Sequence, residues 1–323
     1  MNDRSVGLLE QYDIEVLRTR KGRDAILCDT NRGPLIFKAY TGNPEKADAQ
    51  NRLLQQITGT GKVQAEQMIA SKEETLLVQD TDGTSYILKT WFEGKECNVY
   101  DRAECIEAVK LLAALHNAME GAETALLAAP VSTPLKEYEK RNRELIKVRK
   151  YLRRKSQKSW FEICMTDAFD SFLEQAKRVS GKWHDYMLLT DPSGEQNGLC
   201  HGDYQYHNII KCGSQWCIIN FEKYVRDNPI RDLYYFMRKL LEKSGWSISL
   251  GRELLGAYEQ VRHISAYSYT DLYYRFSYPE KFWKIVNFYY NSGKAWIPEK
   301  NLEKLQKLLA QEEAKQKFLR EIF

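Results

Sequence analysis

Asp203 and Asn208 lie five residues apart in the run HGDYQYHN, and Asn220 closes the apolar run WCIIN that follows it. A carboxylate and an amide at that spacing suit phosphoryl transfer. The carboxylate orients or deprotonates an attacking hydroxyl, and the amide oxygen holds Mg²⁺ beside the phosphates of a nucleotide. Asp203 is therefore read as the catalytic carboxylate, Asn208 as a metal ligand and Asn220 as the second metal position, where such sites usually carry Asp. His201 is read as structural, holding the loop by hydrogen bonds. Losing a carboxylate's attraction for Mg²⁺ costs roughly 4 kcal/mol at an effective interior dielectric. That is on the order of three decades in rate if the loss falls on the transition state. Glu222 could substitute only if the backbone turned it inward, because strand alternation puts residues 220 and 222 on the same side.

The elements that must position these residues begin with three short strands, at residues 13–17, 24–30 and 34–40, separated by the turn-like runs RTRKGR and NRG. The third, PLIFKAY, carries Lys38 among apolar residues. A kinase places the lysine that contacts nucleotide phosphates in this way, and an ordinary edge-strand lysine reads the same. A helix follows at 44–57. Its acids, Glu45 and Asp48, sit in the first turns, and its body offers Gln50, Gln55 and Gln56. The glutamate that usually pairs with the strand lysine is thus missing from the helix body. Residues 74–92 read as a hairpin around DTDG, completing a five-stranded sheet, with 93–95 as a hinge. The loop expected over the phosphates has only Gly22, so backbone amides approach a triphosphate less freely than in a GxGxxG loop.

Downstream, 101–119 is an amphipathic helix with His116 on its apolar face, read as a hydrogen-bonded core histidine. The stretch KEYEKRNRELIKVRKYLRRKSQKSWFE reads as one charged helix. Its basic residues at 140–158, notably Lys150, Arg153, Arg154, Lys155 and Lys158, form either a solvated face or a docking patch for an acidic partner. A helix at 167–189 leads through the turn DPSGEQNG into the central stretch 200–233. Helices at 232–242 and 252–262, the aromatic run YPEKFWKIVNFYY and a charged helix from 298 to 323 complete the chain. Phe282, Val286 and Tyr289 share one face of the aromatic run.

The chain has 323 residues, enough for one large domain or two lobes. Seven cysteines without paired spacing favour reduced thiols in a cytosolic setting. A net charge of +4 argues against general nucleic-acid affinity. The sequence shows no leader-like start and no apolar run of bilayer-spanning length, so synthesis in the cytoplasm and no membrane association are expected.

HGDYQYHN followed by IINFE and DNPIRDL resembles the aminoglycoside phosphotransferase and choline kinase-like superfamily, whose pattern is HGDxxxxN and then a strand ending in Asp. Within it, WFEGKEC, RELIKVRKYLRRKSQKSWFE, IRDLYYFMRK and YPEKFWKIVNFYYNSGKAWIP resemble the CotS-type spore coat proteins of endospore-forming bacteria. The resemblance implies an α+β, two-lobed protein kinase-like fold. A small sheet lobe would occupy 1–92, and a mainly helical lobe 93–323. It implies that Lys38 contacts a bound nucleotide, that ATP and Mg²⁺ are the cofactors to test, and that Asp232 anchors the catalytic loop. It also implies residence in the spore coat with other coat proteins as partners. The replaced metal ligand points to a degenerate, scaffolding kinase. The alternative is an active Mg-ATP-dependent phosphotransferase acting on a hydroxyl.

Overall fold

The computed structural model describes residues 3–22, 24–190, 198–291 and 298–323. The turn DPSGEQNG, up to Asn197, and the SGKAWI segment of the aromatic motif lie outside these residues. In chain order the elements are β1 (Val16–Gly22), β2 (Ala25–Thr30), β3 (Gly33–Ala39), α1 (Pro44–Gly59), β4 (Gln64–Ala65), β5 (Met68–Ile69), β6 (Val78–Gln79), β7 (Ser85–Thr90) and β8 (Lys95–Glu96). They continue as α2 (Arg102–Ala118), α3 (Glu123–Ala128), α4 (Pro134–Arg154), α5 (Trp160–Leu189), β9 (Gly198–Cys200), β10 (Ile209–Cys212), β11 (Gln215–Ile218) and β12 (Val225–Asp227). Last come α6 (Ile230–Lys243), α7 (Ile248–Glu259), α8 (Ala266–Ser277), α9 (Glu280–Asn291) and α10 (Pro298–Ile322).

Two compact units result. One gathers residues 1–131, 197–233 and 257–263, and the other 132–196, 234–256 and 264–323. These units are drawn in space, and each collects several chain segments, whereas a boundary at 92/93 is drawn along the chain.

In the first unit an antiparallel sheet runs β1-β2-β3-β7-β5, with β6 also paired to β7. It holds six strands rather than five, the addition being the two-residue β5. RTRKG is strand rather than turn, because β1 is an exposed edge whose charged residues carry no apolar alternation. Strand alternation sorts β3 and β7 into two faces. Leu35, Phe37, Tyr86 and Leu88 pack with Leu9 of the amino-terminal 3-10 turn, Asp3–Gln11, and with Tyr12, which directly follows it. Ile36, Lys38, Ile87 and Lys89 must then point to the opposite face, which places two lysines on one side of the sheet. A second sheet runs β4-β11-β10-β8, and its β4–β11 pair is parallel.

The second unit is helical. Its core joins Leu145, Leu152, Phe169, Leu173, Trp183 and Phe282. The long charged run is two helices rather than one. α4 stops at Arg154, and Ser159 starts α5 with a capping box in which Ser159 Oγ accepts from the Glu162 N–H and Glu162 accepts from the Ser159 N–H. The S-W-F-E spacing carried that signal. Much of the basic cluster is committed inside the unit: Arg153 pairs with Asp170 (3.2 Å), Lys155 with Glu162 (2.8 Å), and Lys158 donates to the Lys155 carbonyl (2.9 Å).

Candidate functional site

The loop after β9 opens on a turn that only glycine accommodates. Gly202 has φ +81°, and a Cβ there would collide with the Lys223 carbonyl. Asp232, near the start of α6, fixes this turn by accepting the His201 N–H (2.6 Å) and the Gly202 N–H (3.1 Å). His201 is fully buried, and its ring spans the loop. Nε2–H donates to the Ile219 carbonyl (3.0 Å), which leaves Nδ1 to accept the Asp203 N–H (3.1 Å). Beneath them, His116 Nε2 meets Asp232 Oδ2 (3.4 Å) and its Nδ1 meets the Tyr258 hydroxyl (2.8 Å). Burial pushes the His116 pKa down, outweighing the pull of Asp232, so the ring hydrogen-bonds as a neutral group at pH 7. Both histidines therefore have the structural places that the sequence suggests.

The structure brings Asp203, Asn208, Asn220 and Lys38 into one constellation. Asp203 accepts from Gln205 Nε2 (2.8 Å) and pairs with Lys223 Nζ (2.7 Å), a cation whose side chain is 70% exposed. Asn208 Nδ2 donates to the Asp203 carbonyl (2.8 Å), and Asn220 Nδ2 donates to Asn208 Oδ1 (2.8 Å). Lys38 Nζ donates to Asn220 Oδ1 (3.3 Å). The two amides are thus tied in series, and the oxygens that would face a metal already accept hydrogen bonds.

Asn220 also changes the course of the chain. It is left-handed (φ 67°, ψ 57°) and opens a 3-10 turn at Phe221–Lys223, so strand alternation ends there. Asparagine tolerates this region better than most residues with a Cβ. The turn carries Glu222 inward, against the expectation from alternation. Its carboxylate pairs with Lys38 (3.2 Å) and with Lys89 (2.5 Å).

Lys89, wholly buried on β7, also pairs with Glu66 (2.8 Å). Glu66 directly follows β4. The parallel β4–β11 pairing sets it beside the turn, where its own N–H donates to the Ile218 carbonyl (3.1 Å) and its Oε1 accepts the Phe221 N–H (3.1 Å). The strand lysine therefore has an ion pair after all. Its acid comes from the residue two after Asn220 rather than from α1, whose buried Gln50 accepts from the Tyr40 hydroxyl (3.2 Å) instead.

Burial alone would raise the Glu222 pKa. Lys89 first and Lys38 second overcome it, holding the carboxyl down at about 2. Burial likewise works against the Lys89 charge, and Glu66 and Glu222 override it, so its pKa is raised. Two lysines and two glutamates make a network with no net charge.

A magnesium ion does not fit the donors as they stand. Magnesium takes oxygen ligands and usually one or two carboxylates. Here the two amide oxygens are spoken for, and the nearest added carboxylate, Glu222, is held by two lysines. Among the described residues no group of three or more His, Cys, Asp or Glu is placed to hold a metal ion. Glu66, Lys89 and Lys223 escaped the sequence reading. For Lys89 there was a signal: LKT on β7 repeats the FKA pattern of β3, a lysine in a buried strand. For Glu66 there was none, since its place depends on a two-residue parallel pairing.

Residues 6–322 match the family described as "Spore coat putative kinase YutH". The chain belongs to this family. It is 26% identical over 256 residues to "Spore coat protein S" of Bacillus subtilis (strain 168), spanning 74% of this chain and 70% of the relative. The resemblance to spore coat proteins read from the motifs therefore holds.

Among solved structures, an aminoglycoside phosphotransferase from Alicyclobacillus acidocaldarius superposes with a TM-score of 0.85 at 19% identity, covering 97% of this chain and 93% of its own. A spectinomycin phosphotransferase in complex with ADP and spectinomycin gives 0.64 at 12% identity, covering 95% and 97%. An amicoumacin kinase in complex with AMP-PNP and Ca²⁺ gives 0.63 at 12% identity, covering 98% and 94%. This member of the spore coat kinase family has the α+β, two-lobed kinase-like fold of aminoglycoside phosphotransferases. No helix among its described residues is long and apolar enough to cross a membrane.

Proposed function

We propose that the chain is a spore coat component that uses its kinase-like fold as a binding and assembly frame, with other coat proteins as partners, rather than as a phosphotransferase. It is made in the cytoplasm and resides in the coat. The observation that carries this reading is the series Lys38–Asn220–Asn208: the lysine expected to contact phosphates and the two amides expected to hold a metal bond one another, and Lys38 is further committed to Glu222. In this reading Asp203 keeps the place of the catalytic carboxylate without a charged metal ligand opposite it.

The test is a thermal melt with and without Mg-ATP, on the natural protein beside Asn220→Asp. The natural protein is expected to melt at the same temperature in both, and the Asp variant to gain Mg-ATP-dependent stability. Phosphoryl transfer by the natural protein at roughly 1–100 s⁻¹, the range of working kinases, would overturn the reading.

A second reading, an active Mg-ATP-dependent phosphotransferase acting on a hydroxyl, is favoured by one arrangement. The Asp203 oxygen not bonded to Gln205 is covered by Lys223, an exposed cation whose ion pair is worth roughly 0–1 kcal/mol. A substrate could displace it. Absence of any Mg-dependent ATP binding would sink that reading.

A further inference from the structure

The helical unit contains a cavity that plays no part in the site above. It measures about 290 Å³ and lies among α5, α8 and α10. That is at the small end of the range for small-molecule sites, roughly 300–1,000 Å³. Its character is set by three features. Arg178, Lys182 and Arg320 are exposed cations in its lining, and the described lining holds no side-chain carboxylate to neutralise them. The rings of Tyr273, Tyr274 and Phe323 supply flat apolar surface.

The third feature is Ser277, 5% exposed, whose Oγ has no hydrogen-bond partner. Helical hydroxyls in this protein ordinarily donate back one turn, as Ser180 does to the Ala176 carbonyl (2.9 Å) and Thr270 to the Ala266 carbonyl (2.9 Å). Ser277 does not, although a buried hydroxyl left unpaired costs roughly 1–3 kcal/mol. A ligand oxygen in the cavity would satisfy it. Beside it, the buried Gln175 amide is already used on the Ser277 carbonyl (3.0 Å), which fixes the wall between α5 and α8.

We propose that this cavity binds a small aromatic anion, a carboxylate or phosphate carried on a flat ring. The ring stacks against the tyrosines and Phe323, and the anionic oxygens meet Arg178, Lys182 and Arg320 and accept from Ser277 Oγ. Arginine suits this task because its planar fork pairs with carboxylate and phosphate and stacks on rings. A cationic amine is disfavoured, because no side-chain carboxylate in the described lining would compensate it.

The full chain is titrated calorimetrically with phenyl phosphate and benzoate, against inorganic phosphate and benzylamine. The two aromatic anions are expected to bind at least about tenfold more tightly than either comparison compound, a difference of about 1.4 kcal/mol. Arg178→Gln with Arg320→Gln should abolish binding, while Lys38→Met, in the other unit, leaves it unchanged. Ser277→Ala should weaken binding without lowering the melting temperature, because its hydroxyl has no partner in the free protein. The proposal fails if no aromatic anion binds, if benzylamine binds equally well, or if Lys38→Met removes the binding and the arginine variants do not. A fall in melting temperature for Ser277→Ala would also overturn the assigned role of its hydroxyl.

Discussion

Asp232 holds the start of the catalytic-type loop through two backbone N–H groups, so that end depends on where the chain runs rather than on which side chains follow. The far end is tied together chiefly by contacts between side chains: Asn220 on Asn208, Lys38 on Asn220 and Glu222, and Lys89 on Glu222 and Glu66. The first arrangement positions a carboxylate whatever the loop is used for. The second joins the two amides and Lys38 to one another by contacts internal to the protein. On the reading proposed above, a kinase framework is preserved where backbone fixes it while the charged groups are redistributed to stabilise the fold.

The sharpest way to break this comparison is Lys89→Met. It leaves the buried Glu66 carboxylate without its cation and Glu222 with Lys38 alone, and unfolding by denaturant should show a loss of about 3–5 kcal/mol. A loss under about 1 kcal/mol would mean that the far end is not held by this network. Acid gives the next largest effect. The Glu222 carboxyl titrates at about 2 in the folded protein against an ordinary 4.5. Its contribution is fully present above pH 4.5 and is lost as pH falls towards 2, on the order of 3 kcal/mol. Stability curves over that window should flatten in Glu222→Gln.

Asp232→Asn tests the near end. The variant keeps one acceptor oxygen and turns a donor towards a backbone N–H, so a loss of about 2 kcal/mol is expected. Lys38→Met should have the smallest effect, about 1 kcal/mol, because its side chain is 24% exposed and Glu222 retains Lys89.

The near end was legible in the sequence because it is local: HGD, the Asn five residues on, and the Asp in the next helix each sit in a short pattern. The alternation that located β2, β3 and β7 also placed Lys38. The far end was legible only in part. Asn220 could be named, but the left-handed turn that it opens cannot be read from an apolar run, so the inward course of Glu222 stands in the sequence only as a condition on the backbone. Glu66 reaches Lys89 through β4, two residues whose pairing to β11 is set by segments some 150 positions apart. α8 was missed for another reason. Its tyrosines carry both polar and apolar character, and they blur the helical period that marks α2.

The burial of Lys89 makes it a clock for opening. Its amine, at 0% exposure between two carboxylates, is out of reach of any acylating reagent while the sheet is closed. Its labelling rate will therefore count the excursions that separate β7 from the Asn220 turn, against a background of surface lysines that react at once.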